Sequence, residues 1–121
     1  MRVPISYALS YPERSSTPVP ALDLSGGLSL TFEPPDLEAF PLLRLAREAG
    51  ESGGTYPCAF NAANEVAVAA FLERRIGFLE IAATVEETLT QVDGVSAWNL
   101  DELVAADEEA RRIAERRLVT A

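Results

Sequence analysis

The sequence predicts a mainly α protein, a bundle of four helices preceded by a short helix and by one strand that has no partner in the chain. The stretch Pro57 to Ile76, PCAFNAANEVAVAAFLERRI, reads as one long helix that is apolar on nearly every side from Cys58 to Leu72. A helix of that kind should be buried all round, so its neighbours should pack against it. Three further stretches repeat apolar residues at helical spacing, and only Leu28 to Phe32 alternates as a strand does.

In chain order, Met1 to Tyr11 carries Val3, Tyr7 and Ala8 on one side and Pro4 near the first turn, where a missing N–H costs nothing. A short helix is expected there, ended by Pro12, and Pro18 and Pro20 keep the next residues extended. Leu28, Leu30 and Phe32 alternate with Ser29 and Thr31 between Gly26-Gly27 and Pro34-Pro35, the mark of a strand with one buried face. Residues 34–40 are proline-rich and polar, a semi-rigid connection between two units, so the boundary is drawn there. The first bundle helix is expected from about Pro41 to Ala49, with Leu42, Leu45, Ala46 and Ala49 on one face and Gly50 as its stop. The loop Glu51 to Tyr56, ESGGTY, is flexible by composition, and Pro57 opens the central helix, which Gly77 ends after Arg74 and Arg75. A third helix is expected over about Leu79 to Val92, where Ile81, Val85, Leu89 and Val92 recur at spacings of four, four and three. Trp98, in the following connection, is expected to plug the end of the helical core. Asn99 and Glu102 match a capping box, so the last helix should start at Leu100, with a possible restart at Asp107. Leu103, Ala106, Ala110, Ile113 and Leu118 would form its buried stripe.

A lone strand leaves its ladder groups unpaired, and even a two-stranded hairpin is marginal in water. Either another molecule supplies the missing sheet or the chain is the tail of a longer protein whose sheet lies upstream. The second reading is preferred, because Met1 leads straight into a helix with no capping residue before it.

The chain has 121 residues, 48% of them apolar, enough for one domain or a domain with an appendage. A net charge of −9 repels phosphate backbones and anionic lipid, which argues against nucleic acid and membrane surfaces as partners. Cys58 is the lone cysteine and sits in an apolar run, where it reads as a small buried hydrophobe, a usage compatible with a cytoplasmic protein. There is no histidine, and hence no Ser-His or Cys-His pair and no imidazole metal ligand. Carboxylates alone would have to do any chemistry.

Asn61, Asn64 and Glu65 lie three and four residues apart on one face of the central helix. They are read as a structural polar cluster that caps loops or neighbouring helix ends. Asp107, Glu108 and Glu109 point about 100° apart along a helix and cannot converge on one cation, so they read as a solvated helix start. Glu86 and Glu87 should face water, and Gly26-Gly27 and Gly53-Gly54 do not match a phosphate-binding loop. Residues alone therefore assign no metal, cofactor or catalytic site.

The segments MRVPISYALSYPER, PALDLSGGLSLTFEPPDLEAFPLLRLA and FNAANEVAVAAFLERRIGFLEIA, in that order, resemble the C-terminal portion of the 1-deoxy-D-xylulose 5-phosphate reductoisomerase family. The most specific pieces are Met1-Arg2 and Pro4-Ile5, Leu30 to Phe32 with Pro35-Asp36, and NAANE at Asn61 to Glu65 leading to Ala69 to Leu72. The resemblance implies an NADPH-dependent enzyme that makes 2-C-methyl-D-erythritol 4-phosphate on the non-mevalonate route to isoprenoids. It further implies a metal, Mg²⁺ or Mn²⁺, that holds the substrate oxygens while hydride comes from NADPH. By that likeness, residues 1–33 are the remnant of a truncated α/β catalytic domain, 34–40 the connecting segment and 41–121 the C-terminal helical bundle. The family's nucleotide loop, metal carboxylates and substrate-phosphate residues all precede Met1, which itself would line the substrate pocket. The chain is thus expected to be inactive alone and to bind no cofactor or metal itself. Its partners would be the upstream catalytic and NADPH-binding domains, within a homodimer at full length. The alternative is a stand-alone helical interaction module without enzyme activity, which a stop codon just upstream of Met1 would favour.

Overall fold

A computed structural model describes residues 1–17 and 19–120, with Thr120 described by its backbone alone. Among them are five helices, α1 (Arg2–Ser10), α2 (Pro41–Ser52), α3 (Tyr56–Leu72), α4 (Phe78–Gln91) and α5 (Leu100–Thr120), and no strand. The chain divides into two compact units, Met1–Glu33 and Pro34–Ala121.

In the first unit α1 buries none of its residues. The rings of Tyr7 and Tyr11 meet edge to face at 5.8 Å, and the Arg14 guanidinium lies 5.0 Å from the Tyr7 ring centre. The alternation at Leu28 to Phe32 does not become a strand in this structure, and all five residues are exposed. The physical reason is the one the pattern already contained, since a ladder needs a second edge and no other described segment alternates to provide it.

The second unit is the four-helix bundle. α3 packs against α2, α4 and α5, and α4 also touches α2 and α5. Ala59, Ala62, Ala63, Ala67 and Ala70 of α3 are buried, and their small side chains let the flanking helices approach closely. One apolar cluster joins Leu45, Ala63, Val85 and Ala114, one residue from each helix, with Leu42, Phe60, Val66 and Leu89 packed against it. A second joins Ala59 and Ala62 to Ala110 of α5. α3 is nevertheless not buried all round as its composition predicts. Asn61, Glu65, Ala69 and Leu72, one turn apart, form an exposed stripe, because three neighbours cover only three sides of the helix.

Several helix ends differ from the sequence reading. α2 runs through Gly50 to Ser52 and stops at Gly53, whose φ of 68° is left-handed and whose N–H donates to the Ala49 carbonyl at 3.1 Å. An interior Gly costs only about 1 kcal/mol relative to Ala, so Gly50 need not end the helix. α3 ends at Leu72 rather than near Ile76. The Arg75 N–H reaches the Ala70 carbonyl at 2.9 Å, the Arg74 N–H reaches that of Phe71 at 2.9 Å, and Arg74 has φ 62°. This is a Schellman stop with arginine in the position that usually holds glycine. Gly77 instead precedes α4 and donates its N–H to the Glu80 carboxylate at 2.6 Å. Because a left-handed L residue costs roughly 1–2 kcal/mol, Arg74→Gly should raise bundle stability by about 1 kcal/mol in urea unfolding. A loss of stability in that variant would contradict the assignment of the stop.

The start of α5 agrees with the sequence. Asn99 Oδ1 accepts the Glu102 N–H at 3.0 Å, while the Glu102 carboxylate reaches back to the Trp98 N–H at 2.7 Å. α5 then continues through Asp107 without a restart. Trp98 does not plug the core. It is 86% exposed, and the connection is held instead by Thr55, buried at the start of α3. The Thr55 N–H donates to the Val95 carbonyl at 3.0 Å, and Thr55 Oγ1 accepts the Val95 N–H at 3.2 Å. The Gly-rich loop, read as flexible, is thereby tied to a segment forty residues away.

Candidate functional site

The polar residues of α3 are brought to α5 and not to a loop or a helix end. Glu65 Oε2 accepts from Arg111 Nη2 at 2.6 Å, and Glu65 Oε1 accepts from Asn61 Nδ2 at 3.2 Å. Arg111 also donates through Nε to Asp107 at 2.6 Å, one turn back on α5. The cluster is therefore a clamp between α3 and α5, with Asn64 half-buried beside it. Asn61 and Glu65 thus join a cross-helix bridge, because Arg111 is long enough to span the gap between the small-residue faces.

The electrostatics hold these groups in fixed charge states. Hydrogen bonding from Arg111, then from Asn61, pulls the Glu65 carboxyl below its ordinary 4.5, against a smaller opposing effect of burial and of Asp107. Hydrogen bonding to Asp107 and Glu65 raises the Arg111 guanidinium further above its usual range. A carboxylate so held is no proton donor near neutrality. Its lowered value makes its contribution to stability present above the ordinary carboxylate range and lost as pH falls through the depressed one. Glu65→Gln should therefore flatten the acid limb of the stability curve below pH 4.5 while leaving neutral pH little changed, since exposed pairs contribute little. An unaltered acid limb in thermal melts of the variant would remove Glu65 from the account.

Cys58 is half-buried, its Sγ 3.5 Å from the Leu103 carbonyl. Burial, and then the charge of Asp107, pushes its thiol up, so it stays protonated and is a poor nucleophile. Asp107 and Glu109 are engaged by Arg111 and Arg112, Glu86 by Arg44, and Glu87 by Arg117, so these acids form ion pairs rather than standing alone in water. Met1 is 91% exposed at the start of α1.

Two features escaped the sequence reading. Thr84 and Thr88 are buried inside the bundle, where each hydroxyl donates to the carbonyl four residues back at 2.8 Å, and Arg117 Nε reaches Thr84 Oγ1 at 3.2 Å. Their spacing of four on the Ile81–Val85 face was the available signal. The second is an apolar groove of about 710 Å³ between the start of α2 and the start of α4, walled by Phe40, Leu43, Phe78, Leu79 and Ala82.

Divalent metal and dinucleotide do not fit the residues present. Among the described residues no group of three or more His, Cys, Asp or Glu is placed to hold an ion. The carboxylates that approach one another already serve arginines, and the Gly53-Gly54 turn before α3 does not match a phosphate-binding loop. The arrangement supplies rigidity and charge pairing. No helix among the described residues is long and apolar enough to cross a membrane.

The model of the DXP reductoisomerase C-terminal domain family matches residues 1–113. A 1-deoxy-D-xylulose 5-phosphate reductoisomerase of Ralstonia pickettii is 57% identical over 121 residues, which are 100% of this chain and 31% of that relative. The protein of the same name from Pelodictyon phaeoclathratiforme is 55% identical over 116 residues, 96% of this chain and 30% of the relative. Among solved structures, the reductoisomerase of Zymomonas mobilis in complex with NADPH superposes with a TM-score of 0.85 at 45% identity, covering 96% of this chain and 31% of that one. A DOX-P reductoisomerase in complex with NADPH, fosmidomycin and magnesium gives 0.80 at 36% identity, covering 98% and 31%. The chain thus spans under a third of the length of the relatives it matches.

Proposed function

Because the chain belongs to the DXP reductoisomerase C-terminal domain family, we propose that it is the C-terminal part of an NADPH-dependent 1-deoxy-D-xylulose 5-phosphate reductoisomerase. The observation that carries this reading is 57% identity along the whole chain to less than a third of such an enzyme. Its own role is structural support. The α3–α5 clamp, the threonine-lined interior and the apolar clusters make a rigid block. The cofactor and the divalent metal are held by residues outside it, and the chain is inactive by itself.

In this reading residues 1–33 are the end of the catalytic domain, 34–40 the connection and 41–121 the bundle. Unit Met1–Glu33 suits that role, since its nine-residue helix α1 buries nothing and a helix so short is marginal alone. Met1 belongs to the wall of the substrate pocket of the complete enzyme, which its exposed position permits. Asn61, Asn64 and Glu65 remain structural. The complete enzyme is a cytoplasmic homodimer.

The test is a chimera in which this chain replaces the matching last 31% of the Ralstonia pickettii enzyme. The chimera should reduce 1-deoxy-D-xylulose 5-phosphate with NADPH and Mg²⁺ within about tenfold of the parent, the loss expected when a supporting shell is exchanged at such identity. A folded chimera without activity would defeat the proposal.

A further inference from the structure

We draw no further inference here: the strongest candidate, the apolar groove between the start of α2 and the start of α4, carries nothing because nothing in the structure shows what covers it.

Discussion

Ala63→Leu should come close to unfolding the bundle. Ala63 has no exposed surface and sits in the cluster shared with Leu45, Val85 and Ala114, one from each neighbouring helix. Three added carbons have no void to fill and must push α2, α4 or α5 away from α3. Overpacking of this kind costs about 1–3 kcal/mol and occasionally more, and here the upper end applies because the obstacles are helices and not loops. A loss of about 3 kcal/mol lowers the melting temperature of a domain of this size by roughly 12–24 °C. Ala69→Leu, six residues further along the same helix but exposed, should change stability by no more than about 0.5 kcal/mol. Thermal melts followed by circular dichroism measure both. Equal effects at the two positions would mean that α3 is not the centre of the packing.

Gly54→Ala should be a costly loop substitution. Gly54 has φ 55°, and a Cβ there would lie 2.3 Å from the Val95 carbonyl oxygen and 3.1 Å from its carbon. The obstacle is backbone, held in place by the paired bonds between Thr55 and Val95, so it cannot swing aside as a side chain would. The left-handed strain, roughly 1–2 kcal/mol, adds to the displacement of the strap, for a total of about 2–4 kcal/mol. Gly53→Ala is the comparison, because its φ is 68° but nothing lies within 4 Å of the added carbon. It should show the strain alone, about 1 kcal/mol. If urea titrations give the two variants the same midpoint, the tight approach of residues 54 and 95 is not part of the folded state.

What could be read from the sequence was whatever depends on local periodicity and capping. The helices of the bundle follow from apolar spacing, and the start of α5 from Asn99 and Glu102, since these residues satisfy backbone groups within one turn. Features set by distant neighbours could not be read. Trp98 looked like a core residue by composition, yet the strap between Thr55 and Val95 closes that end without it. The burial of Thr84 and Thr88 went unmarked because hydropathy ignores the bond a threonine makes to its own helix, which makes its burial inexpensive. The end of α3 at Leu72 was hidden because Arg74, which makes the left-handed turn after it, gives no sign of one. For the candidate site, the grouping of Asn61 with Glu65 was visible in their spacing, whereas the partner, Arg111, lies 46 residues from Glu65 and only the fold brings it there.

Under the proposed function all chemistry lies outside these 121 residues, which do the work of support. The direct measurement is NADPH consumption by the purified chain, given 1-deoxy-D-xylulose 5-phosphate and Mg²⁺ after circular dichroism has shown it folded. The expected rate equals that of buffer, at any protein concentration. Consumption that rises in proportion to the chain, and is lost when the substrate is left out, would contradict it.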